Sequence, residues 1–236
     1  MSSADRSPSP VDPEVVEKLR HEMARRLRPR GLSAGSESSL TTGVPDLDLL
    51  LPGGGIPRGE LTEITGPPSS GKTALLVRLL ARALERGEVA VYLDTTGSFD
   101  STSVLRAGLP LKRLLLVRPP SVAVALQVLE ELLRSRGPGL LALDLAGLLL
   151  RRGLTQATLF RLVRVVREVD AAVVLLRDAV PGATSLGSAV GLRLFCRSLG
   201  CSVDPSRPGA FRMRVEVAKS RQGSVGGAVD LELDGA

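Results

Sequence analysis

Four residues in one short stretch have the types and spacing to hold phosphate: Gly66, Gly71, Lys72 and Thr73 of "GPPSSGKT" (66–73). The glycines let the backbone bend until its N–H groups converge on one anion, and the loop opens a helix whose first turn carries positive potential. Lys72 has the reach for the β- and γ-phosphates of a nucleoside triphosphate, and the Thr73 hydroxyl suits Mg²⁺. Ser69 and Ser70 complete the loop. The same chemistry needs a carboxylate at the end of a neighbouring apolar strand to hold the metal through water. Asp144, after "LLAL", meets that need. A strand-end Asp also accepts N–H groups from the next loop, and the sequence leaves that second reading open. ATP and Mg²⁺ are the expected cofactors.

Such a loop works only between a strand and a helix, and the flanking patterns supply both. "ELTEIT" (60–65) reads as a strand, and Leu75, Leu76, Leu79, Leu80 and Ala83 share one face of a helix over 71–86 that Gly87 ends. Further apolar strands are predicted at 89–94, 113–117, 139–144 and 171–177, with amphipathic helices at 121–135 and 154–168. Strands apolar throughout and separated by helices predict an α/β fold with a parallel sheet covered on both faces. The segments 211–221 and 228–234 alternate instead, and predict an antiparallel extension at the C-terminal end.

Composition narrows the partners. The chain has 236 residues, 43% of them hydrophobic but only 2% aromatic. Its core must be aliphatic, and it has few rings on which single-stranded bases could stack. The formal charge is +6 and nearly every cation is Arg. That suits a polyanionic partner, although coding bias also enriches Arg. Cys196 and Cys201 have no histidine near them, since His21 is the only one, so a zinc site lacks ligands and reduced thiols are expected. No apolar run is long enough to span a bilayer, and the polar start is unlike a leader sequence. The expectation is a cytoplasmic protein that makes no membrane contact.

Ahead of the core, residues 1–11 are Ser/Pro-rich and predicted disordered. Residues 12–28 predict an amphipathic helix, with Asp12 as cap, Pro13 in the first turn and Val16, Leu19, Met23 and Leu27 on one face. Residues 29–41 read as a linker and 42–236 as the nucleotide-binding core. The apolar face of that helix docks either on its own core or on a neighbouring molecule.

The stretch "TTGVPDLDLLLPGGGIPRGELTEITGPPSSGKTAL" resembles the entry to the core of RecA-type recombinases, and the likeness of layout continues through "VAVYLDTTGSFD", Asp144 and the C-terminal strands. The resemblance implies the RecA-like P-loop core. It implies that Lys219 and Arg221 of "AKSRQG" match basic residues reaching the nucleotide of an adjacent protomer, and that Asp100 lies near the base. It places two loops toward DNA, one carrying Arg151 and Arg152 and the other spanning 178–188. Arg151 and Arg152 are candidate phosphate contacts; adjacent arginines before a helix also occur as a plain solvated corner. The family's separate C-terminal domain has no counterpart after the last predicted strand.

Three positions depart from that pattern. Where the family carries the glutamate that polarises the attacking water, the chain has Thr96, which cannot accept a proton at neutral pH; Asp94 and Asp100 are the possible substitutes. Ser103 stands where the family stacks an aromatic ring on adenine, and Asp178 replaces the glutamine that senses the γ-phosphate. Short cores with degraded catalytic motifs resemble the ImuA family, RecA-like accessory proteins of translesion synthesis. That resemblance implies weak ATP hydrolysis in the SOS response to DNA damage. The implied partners are RecA, ImuB with its error-prone polymerase, and DNA, with self-association through the N-terminal helix. An active, DNA-stimulated ATPase of the recombinase or mediator class is the competing expectation.

Overall fold

Strands with apolar residues on both faces need cover on both, and the sheet has it. The structure is a computed structural model that describes residues 38–97, 99, 111–145, 155–179, 186–201 and 210–233. Eight strands form one sheet: β3 (Leu61–Gly66), β4 (Ala90–Asp94), β5 (Leu114–Val117), β6 (Leu140–Asp144), β7 (Ala172–Asp178), β8 (Val190–Cys201), β9 (Phe211–Ser220) and β10 (Ala228–Leu233), in the order β10-β9-β8-β3-β7-β6-β4-β5. From β8 to β5 every pairing is parallel, while β8, β9 and β10 pair antiparallel. The α/β architecture with an antiparallel C-terminal extension is therefore as the sequence predicts. A two-residue pair, β1 (Ser39–Leu40) with β2 (Ile56–Pro57), lies beside it.

Pleat parity splits the side chains between two cores. Ile64, Ala90, Tyr92, Ala142, Val174, Leu176, Leu192 and Leu194 meet the short helix α1 (Pro45–Leu50) and the apolar face of α2 (Lys72–Glu85). The intervening residues Leu61, Val91, Leu93, Leu141, Leu143, Val173 and Leu175 meet α3 (Val122–Arg134) and α4 (Gln156–Arg167). Period-2 alternation then dictates a functional consequence. The even-numbered strand-end residues Asp94, Asp144, Asp178 and Cys196 continue the α2 side, the side on which the phosphate-type loop lies.

Three features differ from the sequence reading. Ser39 and Leu40, within the stretch read as a linker, form β1, and Leu40 is buried against the α2 core. Helix α1 was not anticipated. Strand β8 was not either, although it is the longest and joins the parallel and antiparallel halves. Its arginines and glycines mask the pattern. Leu192, Leu194 and Cys196 point to one core, whereas Arg193 faces the other side and reaches Glu63. The expected N-terminal helix over 12–28, together with Asp100, Ser103, Arg151, Arg152 and most of 178–188, lies outside the described residues.

Candidate functional site

The loop of residues 66–71 is shaped by its neighbours as well as by its own glycines. Gly71 adopts φ +91°, a left-handed conformation costly for other residues, and Ser69 also has a positive φ of 58°. A Cβ on Gly71 would meet Met213 Sδ at 2.6 Å and Phe211 Cε1 at 2.8 Å. One on Gly66 would collide with the carbonyl of Cys196. Both motif glycines are thus fixed by β8 and β9, the strands packed behind the loop. Cys196 is fully buried there, and burial pushes its thiol up to about 12 against the opposing pull of the Lys72 charge.

Lys72 turns back into the loop. Its Nζ donates to the carbonyls of Pro67 at 2.7 Å and Gly66 at 3.1 Å and lies 3.4 Å from Ser70 Oγ. It also pairs with Asp178 Oδ1 at 3.0 Å. The N-terminus of α2 differs from those of α3 and α4. Ser121 caps α3 by accepting from Val124 N–H, and Thr155 caps α4 by accepting from Thr158 N–H, but Gly71 brings no side-chain cap to α2. The first-turn N–H groups of a helix have no intrahelical acceptor. With a lysine ammonium beside them and a left-handed turn before them, they suit a phosphate group. The loop therefore fits a nucleotide, with Lys72, Ser69, Ser70 and Thr73 at hand.

Asp144 is fully buried at the end of β6. Tyr92, the only tyrosine, donates its hydroxyl to Asp144 Oδ2 at 2.6 Å, and Thr95 Oγ1 donates to the Asp144 carbonyl. Sequence reasoning missed Tyr92, since a lone tyrosine in an apolar strand reads as core packing. An oxygen-donor carboxylate held at this rim suits Mg²⁺.

Asp94 organises the turn that follows β4. Its Oδ1 accepts from Gly97 N–H at 2.7 Å and from both the N–H and the hydroxyl of Thr96 at 3.3 Å. Its Oδ2 accepts from Phe99 N–H and from Arg118 Nε, each at 3.3 Å. Thr96, at the position where the family resemblance expects a base, therefore points its hydroxyl at Asp94. Arg118, a half-exposed cation at the carboxyl end of β5, is a second residue the sequence reading did not single out.

Lys219 and Arg221 sit on β9 and its following turn, close to the segment that leads into β8. Lys219 Nζ donates to the carbonyls of Gly187 and Val190, both at 2.7 Å. Arg221 donates to the carbonyl of Ser188 at 2.9 Å and to Glu60. Desolvation first, then the charges of Arg193 and Arg221, hold the Lys219 ammonium below its ordinary range. The pair thus grips the end of the second predicted DNA-facing loop.

Comparison with known proteins matches this arrangement. The family described as RecA N-terminal domain matches residues 32–155, just over half the chain. Protein RecA of Chlorobaculum tepidum is 39% identical over 105 residues, 44% of this chain and 30% of that protein. Protein RecA of Cytophaga hutchinsonii is 36% identical over 105 residues, with the same coverage. Protein RecA of Prochlorococcus marinus is 36% identical over 106 residues, 45% of this chain and 28% of that protein. The chain spans about 30% of the length of the curated relatives it matches. Among the described residues no helix is long and apolar enough to cross a membrane. On the residues matched, and on the loop and sheet that carry them, the chain belongs to the RecA N-terminal domain family.

Proposed function

We propose that this chain binds ATP with Mg²⁺, hydrolyses it weakly, and serves as an accessory protein in the response to DNA damage. The observation that carries the reading is the juxtaposition of Lys72, the left-handed turn at Gly71 and the uncapped start of α2. Lys72, Ser69, Ser70 and Thr73 hold the phosphates, and Thr73 with Asp144 holds the metal. Bound ATP and Mg²⁺ supply the phosphoanhydride and its charge neutralisation. The chain's part is positioning, since Thr96 donates its hydroxyl to Asp94 and leaves no general base at that place.

Membership of the RecA family supports recombination or repair as the setting. The translesion role rests on resemblance to the ImuA family and on the threonine at position 96. It carries with it RecA, ImuB and its error-prone polymerase as partners, DNA contact through Arg151 and Arg152, adjacent-protomer contacts through Lys219 and Arg221, and a cytoplasmic location.

The test is calorimetry with Mg·ATP, followed by turnover with and without single-stranded DNA. The wild type binds and turns over slowly, with little response to DNA. Lys72→Ala abolishes binding, and Thr96→Glu raises turnover by about 10²-fold, the lower end of what a general base contributes. Marked stimulation of the wild type by DNA would favour an active recombinase-class ATPase instead. An absence of ATP binding would remove the reading altogether.

A further inference from the structure

Asp178 stands at the carboxyl end of β7, in register with Gly66 where the phosphate-type loop begins. It is largely buried, with 14% of its side chain exposed, and its Oδ1 lies 3.0 Å from Lys72 Nζ. We propose that Asp178 sets which nucleotide the loop accepts, favouring a nucleoside diphosphate over the corresponding triphosphate. The inference rests on the nucleotide-binding reading and adds a preference that reading does not contain.

The argument turns on how many donors Lys72 can release. An ammonium has three N–H donors. Here the nitrogen is surrounded by the carbonyls of Gly66 and Pro67, the Ser70 hydroxyl and the Asp178 carboxylate, so no donor direction is idle. A diphosphate takes one donor, and the lysine supplies it by leaving a neutral carbonyl while keeping Asp178. A triphosphate needs the same nitrogen for a second phosphate. An oxygen of that γ-phosphate, within hydrogen-bond reach of Nζ, would lie within about 6 Å of the Asp178 carboxylate. With the triphosphate, three anionic groups crowd one cation where the diphosphate brings two, the lysine must leave both carbonyls, and like charges in this partly desolvated place repel more strongly than in water. Pleat parity fixes the geometry, because Val174 and Leu176 are packed in the core on the α2 side and Asp178 must follow them. Its strand therefore places the carboxylate on the loop's side of the sheet, 3.0 Å from Lys72 Nζ.

The experiment is equilibrium binding of ADP and of a non-hydrolysable ATP analogue, both with Mg²⁺. It compares the wild type with Asp178→Asn, Asp178→Ser and Asp178→Glu, each first checked for folding by circular dichroism. The wild type should bind ADP at least about tenfold more tightly than the analogue. Asp178→Asn and Asp178→Ser should shrink that ratio about tenfold, chiefly by tightening the triphosphate, and Asp178→Glu should keep the preference. Two neutral variants guard against one that fails to fold, and the wild-type ratio is informative by itself. A wild type that binds the analogue as tightly as ADP, or neutral variants that leave the ratio unchanged, would overturn the proposal while nucleotide binding stands. A wild type and variants that bind neither ligand would overturn both.

Discussion

The two rims of the sheet each carry a buried ion pair, and the pairs are built for opposite purposes. At the amino rim, Arg58 NH2 donates to both oxygens of Glu88 at 2.8 and 3.0 Å, and its NH1 donates to the carbonyls of Gly139 and Asp170. One guanidinium thereby ties the starts of β3, β4, β6 and β7. Glu88 also accepts from Arg86, and a Cβ on Gly139 would collide with the Glu88 carboxylate. At the carboxyl rim, Lys72 pairs with Asp178 through a single contact inside a glycine loop, next to an uncapped helix start. A guanidinium nitrogen spanning both carboxylate oxygens and closed off by backbone makes a clamp, whereas a point charge among exchangeable acceptors is what the proposed nucleotide site requires.

Arg58→Ala is the strongest way to test that contrast. It leaves buried Glu88 to Arg86 and takes a donor from the carbonyls of Asp170 and of Gly139, which keeps Ala172 N–H; removing one partner of a buried pair costs up to about 3–5 kcal/mol. Urea unfolding followed by circular dichroism reads it, since the chain has no tryptophan. A loss below about 1 kcal/mol, the range of an exposed pair, would mean that the amino rim is no clamp.

Tyr92→Phe is expected to act more gently and to report on the other rim. It removes the hydroxyl that Asp144 Oδ2 accepts from, at a cost of about 0.5–1.5 kcal/mol, the net worth of a typical intramolecular hydrogen bond. If Asp144 holds a metal, saturating Mg·ADP should change the size of that loss, because ligand stabilisation differs between wild type and variant only when their affinities differ. If Asp144 only organises the rim, the loss should be the same with and without the ligand.

The sequence made the two rims unequally legible. The loop at 66–73 announces itself because its chemistry requires particular residue types in a fixed order, and β4, β5, β6 and β7 do so because their runs are almost wholly apolar. Arg58 gave no signal. Its importance comes from carbonyls and a carboxylate that are distant in sequence and that only the fold assembles, Glu88 and Gly139 among them. Tyr92 was hidden for a related reason, its ring being ordinary core while its hydroxyl is not. Strand β8 was obscured because Arg193 interrupts its apolar run, and that arginine makes sense only beside Glu63, which it shares with Arg177. The Asp178 substitution was visible, but its pairing with Lys72 required the register of β7 against β3.

The smallest expected effect on stability comes from labelling Cys201, and it offers the finest comparison of how the rims open. Cys201 is exposed at the end of β8, so a thiol reagent at pH 8 should modify it quickly and leave the fold intact. Cys196 is on the same strand but fully enclosed, and with its thiol held up to about 12 it has almost no thiolate at that pH. Its labelling requires the packing behind Gly66 to separate. Counting modified thiols by mass spectrometry over time, at increasing urea, gives the opening free energy of the carboxyl rim. If the site rim is the looser one, Cys196 reacts before the whole chain unfolds, and ADP slows that reaction without touching Cys201. Labelling of Cys196 only at global unfolding would show that the carboxyl rim is held as firmly as the amino one, and the distinction between clamp and site would then rest on charge geometry alone.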